Sequence, residues 1–125
     1  NFLYLQKSLE HNYKSYLKKK RYIKFITLTS LDSFFPNVNS VGYSVAKSAS
    51  SHLILNYQRL HKKTKISYFD IQSGAVNTKM RKIKNGDALN VEEISKTIEY
   101  ILSLDENSTM FPIKIFPKLK NYPVY

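Results

Sequence analysis

The chain has 125 residues, and 20 Lys and Arg set against nine Asp and Glu give it a formal charge of +11. That length holds at most one domain, and 42% hydrophobic with 14% aromatic residues fits a folded chain with a modest core, not a disordered one. The absence of Cys excludes disulfides and thiolate metal sites and fits a reducing cytoplasm; no apolar run approaches a membrane span, and the amino end is not a signal peptide.

Phe2 to Lys20 repeats apolar residues at three- and four-residue steps (Phe2, Leu5, Leu9, Tyr13, Tyr16/Leu17), which predicts a helix. Tyr22 to Thr29 is a short apolar, β-branched run, the mark of a buried strand. Leu31 to Gly42 carries Pro36, Asn37, Asn39 and Gly42 and reads as a loop. Within it Phe34 and Phe35 either close over a ligand or cover the sheet end. Tyr43 to His61 is a second helix with a stripe of Ala46, Ala49/Ser50, Leu53, Tyr57 and Leu60. His52 has no second ligand at metal spacing and reads as a surface residue, so no metal site is expected.

Lys65 to Ile71 is the next buried strand, turning through Gln72-Ser-Gly-Ala75. Asn85-Gly86-Asp87 signals a turn, and Asn90 with Glu93 resembles a capping box opening a helix with Ile94, Ile98 and Ile101/Leu102. Met110 to Phe116 is a last strand, which Pro112 and Pro117 confine to an edge or to strand ends. Strands separated by helices imply right-handed parallel crossovers, hence an α/β layered fold.

The basic residues raise nucleic acid or an anionic surface as partners. Lys18-Lys-Lys-Arg21 and His61-Lys-Lys-Thr-Lys65 each follow a helical pattern, where cations suit the helix's negative end. Without a basic-aromatic stacking motif they read as a solvated rim, and neither a nucleic-acid nor a membrane partner is expected.

The segment Ser30 to Lys47 is where the chemistry is expected. Tyr43 and Lys47 are four apart on one helix and share a face. Ser30 lies thirteen residues upstream, at the carboxyl end of a strand, the edge where open α/β sheets bind ligands. A free phenol has a pKa near 10 and is a poor base at neutral pH. An ammonium about 4 Å away stabilises a phenolate by roughly 4 kcal/mol at an effective dielectric near 20, about three pKa units, before desolvation offsets part of it. Tyr16/Lys20 has the same spacing but neither the preceding strand nor the hydroxyl partner.

Ile26-Thr-Leu-Thr-Ser30, Tyr43-Ser-Val-Ala-Lys47 and Ser73-Gly-Ala-Val-Asn-Thr78 occur in one order and at one approximate spacing. In these elements the sequence resembles the later half of the short-chain dehydrogenase/reductase family. The resemblance implies a Rossmann-like three-layer fold, the later half of a doubly wound parallel sheet, with residues 1–125 as the C-terminal catalytic half of one NAD(P)-binding domain. It implies carbonyl/alcohol interconversion on a small molecule with NAD or NADP. Tyr43 is then the acid/base, Ser30 binds the substrate oxygen (Thr29 is the runner-up), Lys47 activates Tyr43 and grips the nicotinamide ribose, and Asn1 holds a relay water. Val76 and Thr78 hold the carboxamide, and Gly74 and Tyr43 join Lys47 among the cofactor-binding residues. A homodimer or homotetramer through helices 2–20 and 43–61 is implied as well.

The sequence departs from the family in two places. Gly42, Gly74 and Gly86 are the only glycines, so the glycine-rich phosphate turn is missing, and Ser73 replaces the usual Pro. The 125 residues alone are therefore expected to bind nucleotide poorly and to show no turnover. The alternatives are a non-catalytic remnant or interaction module on the same fold, and a basic nucleic-acid-binding protein.

Overall fold

The structure, a computed structural model, describes residues 2–19, 21–78 and 87–118. Asn1, Lys20 and the Asn85-Gly86 turn lie outside that set. Three parallel strands, β1 (Ile23–Leu28), β2 (Ile66–Ser73) and β3 (Ile113–Ile115), form an open sheet in the order β1-β2-β3. Helices α1 (Phe2–Lys19), α2 (Val41–Leu60) and α3 (Val91–Ser103) alternate with them, as expected of an α/β fold.

β2 is central because both of its faces are covered. Ile66 and Tyr68 pack with Leu9 of α1 and Ile54 of α2, whereas Phe69 and Ile71 pack with Ile101 of α3. Burial of each such side chain contributes about 1.5–3 kcal/mol. Strands buried on both faces read as continuous apolar runs, which is how β1 and β2 were legible.

Several boundaries differ from the sequence expectation. β2 runs on through Gln72 and Ser73, because these residues pair with Lys114 and Ile115 of β3 instead of turning. β3 is three residues long, held between Pro112 and Pro117, shorter than Met110 to Phe116. The expected loop from Leu31 opens with a 3-10 turn, Leu31–Ser33, and α2 takes its last residues by starting at Val41. The buried face of α2 is marked by Ser44, Ser51 and Ile54, while Ala46, Ala49 and Leu60 of the expected stripe face outward. Serines on that face find buried acceptors, so a core face reads as polar. The capping box does not form: Asn90 makes no side-chain cap, and Glu93 pairs with Lys96 at 3.0 Å.

Two polar devices fix the helices to the sheet. Lys24 of β1 donates from Nζ to the carbonyls of Ile101, Leu102 and Leu104 at 2.9, 2.8 and 2.6 Å, capping the negative end of α3. His61, the C-cap of α2, is buried, with Nδ1 2.5 Å from the Tyr68 hydroxyl and its ring stacked on Tyr13 at 4.1 Å. Burial holds the His61 pKa below its usual value and raises that of Tyr68. Because the folded value of His61 is lowered, the unfolded chain takes up the proton first as pH falls through about 6.5. Stability from a neutral His61 is thus present above that pH and declines below it. Urea midpoints measured from about pH 7.5 down to about pH 5.5 fall more steeply in the native chain than in His61→Gln; equal slopes would remove His61 from the account.

Candidate active site

At the carboxyl edge of the sheet lies a cavity of about 530 Å³, within the range of small-ligand pockets. The β1–α2 connection and the start of α2 contribute Ser30, Leu31, Asp32, Asn37, Ser40 and Tyr43; the segment after β2 contributes Gly74, Ala75, Val76 and Thr78.

Ser30 stands two residues beyond β1 with extended backbone, φ −145° and ψ 155°, and caps the 3-10 turn. Its Oγ accepts from the Asp32 amide at 3.2 Å, which orients the hydroxyl and leaves its proton without an acceptor among the described residues. Two serines of α2 then fasten the turn to the helix: Ser44 Oγ donates to the Asp32 carbonyl at 2.5 Å and Ser48 Oγ to the Ser33 carbonyl at 2.8 Å. Asn37 donates to the Asp32 carboxylate at 3.1 Å. The loop is therefore held along its length, and Ser30 and Tyr43 belong to one braced unit.

Tyr43 lies in the first turn of α2 and is 49% exposed. Its hydroxyl makes no hydrogen bond to the described residues, and Lys47 places Nζ 5.5 Å from its ring centroid. At that distance the ammonium interacts with the ring face. Lys47 stands behind the ring and does not itself line the cavity.

The opposite wall hangs on backbone bonds. Gly74 N–H donates to the Ile115 carbonyl, Asn77 N–H to the Leu89 carbonyl and Leu89 N–H to the Ala75 carbonyl, each at 2.8 Å. Ser73 is the last residue of β2, opposite Ile115 of β3, and the wall begins at Gly74.

Beneath the cavity is a buried carboxylate that the sequence reading passed over. Asp70 is 2% exposed. Its Oδ1 accepts from Thr29 Oγ1 at 2.7 Å and from Thr27 Oγ1 at 3.1 Å; its Oδ2 accepts from Ser51 Oγ at 2.6 Å and from Gln72 Nε2 at 3.3 Å. Thr29 is thereby committed below the floor, which leaves Ser30 as the strand-end hydroxyl facing the cavity. The signal was available: an Asp inside a strand flanked by Phe69 and Ile71. Asp32, Asn37 and Ser40 were likewise missed, being ordinary loop residues by composition. Asn1 lies outside the described residues. Phe34 and Phe35 meet edge-on at 4.9 Å and line a separate pocket of about 400 Å³ that includes His52, so they do not cover the cavity.

The cavity is lined by hydroxyls, the Asp32 carboxylate and the Asn37 amide. Among the described residues it offers no glycine-rich cradle for a pyrophosphate: Gly42 lies in the first turn of α2 and Gly74 in the opposite wall.

Parallel strand order, helices on both faces and a polar cavity at the carboxyl edge define a partial Rossmann-like α/β fold. Solved structures share it. The chain is similar to serine dehydrogenase from Escherichia coli, with a TM-score of 0.79 and 18% identity over 94% of this chain and 50% of that one. It is also similar to an alcohol dehydrogenase from the archaeon Thermococcus sibiricus complexed with 5-hydroxy-NADP, with a TM-score of 0.81 and 19% identity over 97% and 52%. A closed form of serine dehydrogenase complexed with NADP+ gives 0.80 and 16% over 97% and 56%. The chain thus spans about half the length of these structures. No family model and no curated relative matches it.

Proposed function

We propose that this chain is the C-terminal catalytic half of a short-chain dehydrogenase/reductase that interconverts a small carbonyl compound and its alcohol with NAD or NADP. The observation that carries this reading is the meeting of Ser30 and Tyr43 with the Gly74–Thr78 wall in one cavity, with Lys47 behind the Tyr43 ring. The dehydrogenase folds named above support it.

In this reading the substrate oxygen lies between Ser30 and Tyr43. The uncommitted Ser30 proton donates to that oxygen, and Tyr43 transfers its own proton as negative charge develops there. Lys47 stabilises the phenolate left behind, its cation lying over the ring, and would hold the nicotinamide ribose by the sequence resemblance alone. The nicotinamide, when bound, supplies or accepts the hydride. Val76 and Thr78 would hold its carboxamide with Gly74 beside them, while Asn1 falls to the relay role only by the sequence resemblance. Exposed Leu3, Tyr4 and Val45 on α1 and α2 fit these helices as the subunit interface of a dimer or tetramer, and a cytoplasmic setting suits the cysteine-free sequence.

The test expresses the longest open reading frame containing this chain and follows NADH and NADPH absorbance against a panel of small ketones and alcohols. Nucleotide-dependent turnover is expected. A folded product that binds nucleotide yet turns over none of the panel would favour the non-catalytic remnant.

A further inference from the structure

The fold has a second chemically distinct end. α1 and α2 finish, and β1 and β2 begin, at the edge of the sheet opposite the cavity. Backbone and ring contacts bring these four termini together. The Ile23 amide donates to the Lys65 carbonyl at 2.9 Å, the Lys65 amide donates to the Tyr16 hydroxyl at 3.3 Å, and Tyr13 stacks on His61. Two basic runs that are distant in sequence therefore share one surface: Lys18, Lys19 and Arg21 from the first, and Lys62, Lys63 and Lys65 from the second, all exposed.

No carboxylate neutralises them within the described residues, where the ion pair that forms is Lys96–Glu93. Between Glu10 and Asp70 the only acid is Asp32, at the far end. Glu106 borders the surface on one side, in a shallow pocket with Lys62. Two leucines stand among the cations. Leu17 is 54% exposed and Leu60 is 72% exposed, each in the last turn of its helix. The neighbouring aromatic rings, Tyr13, Tyr16 and Tyr57, turn inward against the Leu9–Tyr68 core.

We propose that this end of the molecule docks on an anionic lipid surface. Clustered cations supply the attraction to acidic headgroups, and exposed leucines enter the headgroup boundary. Single-stranded nucleic acid is the poorer fit, because stacking needs ring faces open on the surface and here the rings are packed, partly buried, against the core. Docked in this way, the protein holds its cavity towards the aqueous phase.

Co-sedimentation of the full chain with phosphatidylcholine vesicles, with and without phosphatidylserine, tests this directly. Binding is expected only with phosphatidylserine, weakening as salt rises. Lys62→Gln with Lys63→Gln lowers the affinity roughly twenty-fivefold, at roughly fivefold per cation. Lys7→Gln with Lys96→Gln removes the same net charge elsewhere and changes it by less than about threefold. Leu17→Ser with Leu60→Ser weakens vesicle binding and leaves any affinity for mixed-sequence DNA unchanged. The proposal is overturned if the native chain stays in the supernatant at physiological ionic strength, or if both lysine pairs act alike. It is equally overturned if the leucine variant binds vesicles as the native chain does while DNA is bound tightly, which would make nucleic acid the partner.

Discussion

Tyr43→Phe lowers turnover by about two to four orders of magnitude in the protein that carries the complete nucleotide site. The substitution removes one oxygen from a half-exposed ring whose hydroxyl bonds to none of the described residues, so the change in stability stays within about 0.5 kcal/mol. Nucleotide affinity is expected to hold, because Lys47 and the Gly74–Thr78 wall remain in place. The informative measurement is kcat with nucleotide KM determined on the same preparation. A fall in kcat alone assigns the proton transfer to Tyr43. Native turnover in the Phe variant would end the proposed mechanism, and a loss of nucleotide binding would move Tyr43 from chemistry to binding.

Asp70→Ala is expected to destabilise the chain by about 2–6 kcal/mol, a large share of the 5–15 kcal/mol that holds a domain together. All four partners of this carboxylate are donors: Thr27 of β1, Thr29 just beyond that strand, a serine from α2 and a glutamine from β2 itself. Alanine leaves Thr29 and Ser51 buried without that acceptor, at about 1–3 kcal/mol for each one not satisfied elsewhere. Thr27 and Gln72 are spared, because the Thr27 hydroxyl also reaches the Phe69 carbonyl at 3.1 Å and Gln72 Nε2 also donates to Ser51 Oγ at 2.9 Å. Asp70→Asn is the milder change. Gln72 Oε1 is buried without a partner among the described residues, and a reversal of the Gln72 amide lets that oxygen accept from the new Asn amide. Urea denaturation of the three proteins therefore ranks native above Asn above Ala. An Asn variant as unstable as Ala would mean that the site depends on negative charge and not on acceptor geometry.

The layers of the fold were readable because β1, β2 and α3 keep their periods intact. Misreading began where polar residues occupy buried positions. Ser44 and Ser51 shift the apparent core face of α2, Gln72 and Ser73 disguise the end of β2, and Asp70 reads as a solvent-facing residue until Ser51 is seen to cover it. Periodicity records which residues avoid water; it cannot record which polar residues have found partners inside. In the cavity, spacing found Ser30 and Tyr43 because one is anchored to a strand end and the other to the following helix. It missed Asp32, Asn37 and Ser40, whose positions depend on how the 3-10 turn folds. It also left the orientation of Lys47 open: four residues put it beside Tyr43, and only the rotamer sets it over the ring.

The hydroxyls of Ser44 and Ser48 have a further effect. By clamping the turn after β1 onto α2, they make Ser30 and Tyr43 a fixed jaw whose two halves move together. The facing jaw, from Gly74 onward, is suspended from main-chain contacts that place little demand on side-chain identity. On the proposed function, residues of that second jaw can be changed while the spacing of Ser30 and Tyr43 is kept, which makes it the natural place to begin retuning what the pocket accepts.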